Sequence, residues 1–322
     1  GEGAEGRGDE REKQETTAHG GKSLSEDCRT LVEWTPPANR SSARHVFNAL
    51  TLRTGRPWMS RSLAGPLLTA ILAAVPVAAA SGQGGVPVAV PARTILAIGA
   101  HAGDMELTSG AVLLAAHQRG DRVVFLHLTL GEGGNPRLAP AAYGEQKRRE
   151  ALSVAADLGA EVIFGPYKDG ELPNDEAARR YVADVIRQVK PTHLITHWKE
   201  SFHKDHSNAS AVVQDAVLLA SLPGVVLQHP AHRGVRAVWY TDNWEDATGF
   251  TPFFYVKVSD TLSAWRAAVS KYEFARGAIA GFPYVEYYTA LATVRGAVVY
   301  KGHAVAFGVN PEGQRRVLDS LP

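Results

Sequence analysis

Two short polar clusters far apart in the chain carry residue types that bind metals: His101-Ala102-Gly103-Asp104-Met105-Glu106 and His203-Lys204-Asp205-His206. A catalytic zinc takes three neutral-histidine or carboxylate ligands and keeps a fourth position open for a water, whose pKa the metal lowers to about 7. The first cluster supplies a histidine and an aspartate three residues apart, and the second a histidine on each side of an aspartate. Neither closes a site alone, whereas the pair can. A His-x-Asp-His loop by itself is more often a solvated polar turn, so the reading rests on whether the fold brings the two clusters together.

That depends on the elements that precede them. From Arg93 onward, short apolar runs alternate with helical periods. Thr94 to Gly99, Val123 to Leu128, Glu161 to Phe164 and His193 to Thr196 read as strands. Leu107 to Gln118, Glu145 to Leu158 and Asp175 to Val189 read as helices, the second closed by Gly159 and the third stopped by Pro191. Strands separated by single helices imply a Rossmann-like, doubly wound, mostly parallel α/β sheet. In the order 3-2-1-4-5, strands 1 and 4 are neighbours, and ligands bind in the crevice outside their carboxyl ends. The first cluster follows strand 1 and the second follows strand 4. Further on, Ala209 to Leu222 reads as a helix, Val235 to Tyr240 and Phe253 to Val258 as strands, and Ser263 to Arg276 as a helix. The aromatic-rich stretch Tyr284 to Val309 has mixed periodicity, and nothing splits 93–322 into two domains.

These residues resemble the PIG-L/LmbE-like family of zinc-dependent de-N-acetylases over roughly Arg93 to Asn310. The resemblance is carried by Ala100-His101 through Gly110, Thr129-Leu130-Gly131-Glu132-Gly133, Asp169-Gly170, His203-x-Asp205-His206 and the late Ala304-Val305-Ala306-Phe307. It implies one zinc held by His101, Asp104 and His206, with His203 stabilising the oxyanion or protonating the leaving amine, and Asp205 orienting or tuning a histidine. The implied substrate is an N-acetylated amino sugar, free or in a glycoconjugate. The family's first cluster reads His-Pro-Asp-Asp, its first aspartate the general base; here Ala102 and Gly103 stand at the middle positions. Asp205 is the better of the nearby carboxylates to substitute for that base, because Glu106 turns away along the helix and suits a helix N-terminus through the dipole. A Gly103→Asp change would raise turnover if the missing acid limits it, unless a positive φ or a close approach requires glycine there. Lys147 stands where the family usually has arginine. The alternative function is a non-catalytic, zinc-bearing carbohydrate-binding protein of the same fold.

Other features read more plainly. His117, His127, His193 and His197 suit packing or capping near the sheet. Gly131-x-Gly133-Gly134 has the wrong spacing and position for a dinucleotide fingerprint. Trp198, Phe202, Trp239, Tyr240 and Trp244 fall near ligand-side loops, where they could stack on a sugar or simply pack. A net charge of +1 gives no footprint for nucleic acid. The single cysteine, Cys28, leaves nitrogen and oxygen as ligands elsewhere and no intramolecular disulfide.

Met59 to Gln83 has the layout of a secretory signal: Arg61, an apolar run from Leu63 to Ala80, and Ala78-Ala79-Ala80 as a cleavage site. Pro66 and Pro76 make it a poor spanning or core helix. The expectation is a signal over 59–80, a deacetylase domain over 93–322, a secreted or periplasmic protein, and no stable membrane span after cleavage. Residues 1–58, with nine basic and nine acidic side chains and no apolar period, read as a disordered or non-native extension.

Overall fold

The computed structural model describes residues 92–310 apart from Ala247. The expected extension over 1–58 and signal over 59–80 lie outside the described residues. Within them, Thr94–Gly99 (β1), Arg122–His127 (β2), Ala160–Phe164 (β3), His193–Thr196 (β4) and Ala237–Thr241 (β5) form the parallel part of a seven-stranded sheet. Ala304–Val309 (β7) joins it antiparallel to β5, and Phe254–Lys257 (β6) pairs antiparallel with β7. The order is β3-β2-β1-β4-β5-β7-β6, the expected arrangement continued by two strands.

Because side chains alternate along a strand, each strand feeds two cores. Ile95 and Ala97 of β1 face Asp104–Gln118 (α1), Pro140–Leu158 (α2), Leu262–Val269 (α5) and Tyr284–Val298 (α6), where Leu113, Val154, Trp265 and Val285 pack. Leu96 and Ile98 face Glu176–Val189 (α3) and Lys204–Ser221 (α4) through Val182, Ile186, Val212 and Val213. A helix layer on both faces explains why the strands read as continuous apolar runs. None of the described helices is long and apolar enough to cross a membrane.

Local chemistry sets the helix ends. Asp175 caps α3 by accepting from the Ala178 N–H at 2.8 Å, Pro140 opens α2, and Gly159 closes it at φ 67°. Between α3 and α4, the buried Arg187 guanidinium donates to five backbone carbonyls: Leu219, Ala220, Leu222, Val225 and His229, at 2.8–3.1 Å. One side chain thereby satisfies the orphan carbonyls at the end of α4 and the loop that follows.

Four helix boundaries differ from the sequence reading by more than two residues, one of them the start of α2, at Pro140 instead of Glu145. Helix α1 starts at Asp104 instead of Leu107, and α4 at Lys204 instead of Ala209, because polar residues interrupt the apolar period in both first turns even though Glu106, Asp205 and His206 are buried there. The helix expected over 263–276 stops at Val269 and resumes as a single 3-10 turn, Phe274–Arg276. The break lets Tyr272 turn inward to donate its hydroxyl to Glu106 at 2.8 Å, and it sets Phe274 against the backbone ahead of α1. Gly103 precedes that helix at φ 108°, and a Cβ there would lie 2.6 Å from Phe274 Cζ. Glycine is required twice over, by conformation and by space.

Two outcomes follow. Arg187→Met should lower the unfolding free energy by about 2–4 kcal/mol in a denaturant titration, since several buried carbonyls lose their donor together; an unchanged midpoint would contradict the anchor. Gly103→Asp should cost about 2–3 kcal/mol through left-handed strain and overlap with the ring. Adding Phe274→Ala should recover part of that loss, the part due to overlap, and strict additivity of the two substitutions would show that the ring does not limit position 103.

Candidate functional site

Pairing of β1 with β4, which sets Ile98 opposite Thr196, delivers both clusters to one crevice. His101 lies in the turn after β1 and Asp104 opens α1; His203 caps α4 and His206 lies in its first turn. The His101 N–H donates to Asp104 Oδ2 at 2.7 Å, fixing the carboxylate. Around that oxygen, His101 Nδ1 lies at 3.3 Å and His206 Nε2 at 3.5 Å, and the two nitrogens are 3.1 Å apart. Ligand arms of 2.0–2.1 Å at tetrahedral angles put ligand atoms about 3.3 Å from one another. Two imidazole nitrogens and a carboxylate oxygen at these separations fit a zinc-like ion.

The opposite nitrogen of each imidazole meets a carboxylate. His101 Nε2 is 3.1 Å from Asp169 Oδ1 and 3.5 Å from Asp205 Oδ2, and His206 Nδ1 is 2.8 Å from Glu245 Oε2. A donated N–H on that side leaves the lone pair of His101 Nδ1 and of His206 Nε2 facing the common point. The carboxylates are held in turn: Gly133 N–H donates to Asp169 Oδ2 at 3.0 Å, and Gly170 N–H to Asp205 Oδ2 at 2.7 Å.

His197, expected to pack beside the sheet, belongs to this cluster. It stacks on His206 with ring centroids 4.0 Å apart, and its Nε2 is 3.1 Å from Asp104 Oδ2. That nitrogen already accepts the Ala100 N–H at 2.9 Å, which removes it from the ligand set. Burial and the charge of His206 push the His197 pKa down to about 4, so the ring stays neutral. His203 receives the Asp205 N–H on Nδ1 at 3.3 Å, which places the proton of its neutral form on Nε2. Burial, then the positive charge on His101 and His206, lowers its pKa. Asp205 has no exposed surface and lies behind His101, away from the cavity of about 200 Å³ that opens beside the cluster. That position suits orienting a histidine and does not suit the substitute base expected from the sequence.

The remaining expectations divide. Glu106 is fully buried between the Tyr272 hydroxyl and His127 Nε2, the latter at 3.2 Å, so a buried polar network holds it, in addition to any favourable interaction with the helix end. Lys147 places Nζ on the Ala102 carbonyl at 2.5 Å and 3.6 Å above the centre of the Phe274 ring, and burial lowers its pKa to about 8. Of the aromatic residues singled out in the sequence, Trp244 lines the cavity with Phe202 beside it. Trp198 and Tyr240 are buried against each other, and Trp239 packs on Phe254 and His193. The sequence motifs include Asp169 without giving it a role, and nothing in them points to Glu245. Asp169 sits in the loop after β3, one strand beyond the neighbour of β1, and Glu245 in the loop after β5, the neighbour of β4, and this topological position is the available signal.

Comparison with known proteins agrees with the geometry. Residues 96–217 match the family model PIG-L: GlcNAc-PI de-N-acetylase. A 1D-myo-inositol 2-acetamido-2-deoxy-alpha-D-glucopyranoside deacetylase 1 of Catenulispora acidiphila is 28% identical over 191 residues, 49% of this chain and 59% of that protein. The chain thus spans less than two-thirds of that relative's length. A 4-oxalmesaconate hydratase of Pseudomonas putida is 25% identical over 177 residues, 49% of this chain and 69% of that protein. Among solved structures, the conserved protein TT1542 from Thermus thermophilus superposes with TM-score 0.61 at 27% identity, covering 71% of this chain and all of that one. The N,N'-diacetylchitobiose deacetylase of Pyrococcus horikoshii shares the fold with TM-score 0.60 at 17% identity, over 69% of this chain and 85% of its own. The matched segment runs from β1 into α4 and holds both histidine clusters, so it is over this part of the chain that the protein is similar to the PIG-L family.

Proposed function

We propose that the protein is an exported, metal-dependent amide hydrolase that removes the acetyl group from an N-acetylated amino sugar or glycoconjugate. The observation that carries this reading is the convergence of His101 Nδ1, Asp104 Oδ2 and His206 Nε2 within 3.1–3.5 Å of one another beside a ring-sized cavity. The donor set suits zinc. When bound, such an ion lowers the pKa of a water and polarises the acetyl carbonyl.

The chain's own residues supply the rest. Asp169 and Glu245 hold the two ligand imidazoles in the tautomers that present a lone pair inward. His203, with Nδ1 engaged by the Asp205 N–H, offers Nε2–H to the oxygen on which negative charge develops or to the departing amine. Asp205 acts through the backbone of α4 and through His101 instead of on the substrate. Export is read from the signal-like segment 59–80.

A second reading is addition of water to an unsaturated acid, supported by the 25% identity to the hydratase and by the lack of a side chain at Gly103, which leaves no acid there to serve amide hydrolysis. Both reactions activate a water, and a product assay for free amine against loss of a conjugated double bond separates them. The non-catalytic binding alternative predicts neither product.

Substituting both His101 and His206 by alanine should abolish stoichiometric metal in elemental analysis while circular dichroism remains α/β; retained metal would refute the ligand set. Asp169→Asn and Glu245→Gln should each weaken metal affinity about 10–100-fold in a chelator competition, without loss of fold. His203→Ala should keep its metal and lower turnover by about 10²–10³-fold, the range for one lost oxyanion donor. Loss of metal in that variant would mean that His203 is a ligand.

A further inference from the structure

The outward nitrogen of His206 meets two side chains of one loop, and they ask opposite things of it. Glu245 Oε2 lies 2.8 Å from Nδ1, and Asn243 Nδ2 lies 3.5 Å from the same atom. A carboxylate accepts, so it holds the ring proton on Nδ1 and leaves the lone pair on Nε2, toward Asp104 and His101. An amide NH2 donates, so it engages a bare Nδ1 and moves the proton to Nε2, which then has no lone pair for a metal. The metal-binding form of His206 therefore requires the carboxylate to stay close and the amide to stay back. At 3.5 Å the amide is at the limit of a hydrogen bond.

What holds it back comes from α6. The Tyr288 hydroxyl donates to Asn243 Oδ1 at 2.9 Å, and the Glu245 N–H reaches the same oxygen at 3.3 Å. These donors fix which end of the amide is which, because an amide turned over would set its NH2 against both of them. Tyr288 and Asn243 are buried, and burial holds the phenol well above its usual pKa, so it remains a donor. Two turns further along the same face of α6, Arg295 Nε donates to Asp242 Oδ2 at 2.7 Å. The loop is closed on itself by the Asn243 N–H on Asp246 Oδ2 and the Asp246 N–H on the Asn243 carbonyl, both at 3.0 Å. Helix α6 thus grips the consecutive residues Asp242 and Asn243, just ahead of Glu245. All of these residues lie beyond the segment 96–217 that matches the family model.

A buried tyrosine with one hydrogen bond is ordinarily packing. This one differs in that the other end of its partner faces the nitrogen that decides the tautomer of a candidate ligand. We propose that Tyr288 is a positioning residue for His206: by holding the Asn243 oxygen, it keeps the amide NH2 off His206 Nδ1 and leaves Glu245 to select the metal-binding tautomer. The proposal rests on the reading of His206 as a ligand.

The test uses the full chain with Tyr288→Phe, Asn243→Leu and the two combined. One readout is the His206 tautomer, from nitrogen NMR of the metal-free protein above the pH at which the ring loses its second proton, with His206→Gln to assign the signal. The other is the cobalt(II) dissociation constant from chelator competition. The wild type should carry its proton on Nδ1. Tyr288→Phe should shift the ratio toward Nε2–H at least about fivefold, the worth of one hydrogen bond, and weaken cobalt binding about 10-fold, the low end for an outer partner of a ligand. Adding Asn243→Leu removes the competing donor together with the oxygen that lost its partner, so the double variant should regain the Nδ1–H form and bind cobalt within about threefold of wild type. A tyrosine that only packs predicts the reverse, since a second loss in the same loop adds damage. An unchanged tautomer in Tyr288→Phe, or a double variant that binds more weakly than the single one, overturns the proposal. If Tyr288→Phe does not fold, Asn243→Leu alone decides: retention of the Nδ1–H form supports the proposal, and its loss shows that the amide is needed for that form and overturns it. If the wild type takes up no cobalt, the ligand reading falls, and the tautomer shift alone sustains or overturns the role of Tyr288.

Discussion

The pairing of β1 with β4 is the constraint on which the rest of the molecule depends. Strands from positions 94–99 and 193–196 become neighbours only because the chain reverses its direction of winding between them, and the reversal leaves a crevice that no crossover helix fills. Both histidine clusters sit in the first residues beyond those strands. Backbone amides, helix starts and the loops after β3 and β5 then close on the same point. A sheet of different order would leave each cluster a polar loop with nothing to meet.

Electrostatics at that point are arranged in depth. Asp104 is held well below the usual carboxylate range: burial opposes ionisation, but His206 and His101 outweigh it. His101 is raised well above the usual imidazole range although burial works against its charge, because Asp104, Asp169 and Asp205 surround it. In the metal-free protein, therefore, protons on the imidazoles balance the carboxylates. A divalent cation held there would replace those protons, so its uptake would release protons and weaken as pH falls. Asp169 and Glu245 contribute by deciding which nitrogen of each ring faces inward, through their contacts with His101 and His206.

Much of this could be read from residue types. The apolar runs located the parallel strands to within a residue or two, and the spacing of His101, Asp104, His203 and His206 around strands 1 and 4 marked the crevice. What stayed hidden had specific causes. The polar first turns of α1 and α4 concealed the helix starts, since Asp104, Asp205 and His206 serve the site instead of the core. Glu245 and Phe274 lie in irregular segments with no period to betray them, and they matter through contacts with residues more than thirty positions away. His197 looked like an ordinary sheet histidine because its partner, the Ala100 N–H, lies on another strand's loop. Gly103 was noticed as a departure; that Phe274 fills the space beside it is a fact of three dimensions.

The same Gly103–Phe274 contact restricts the order in which sequence can change. With the aromatic ring 2.6 Å from where a Cβ at position 103 would stand, a side chain cannot arrive there first without a loss of stability. Shrinkage of residue 274 is tolerable beforehand, at the cost of a void under Lys147, whose ammonium rests on the ring. The accessible route between a site with a side chain at 103 and this one therefore passes through an intermediate small at both positions, and the two residues should vary as a coupled pair among descendants of such a chain.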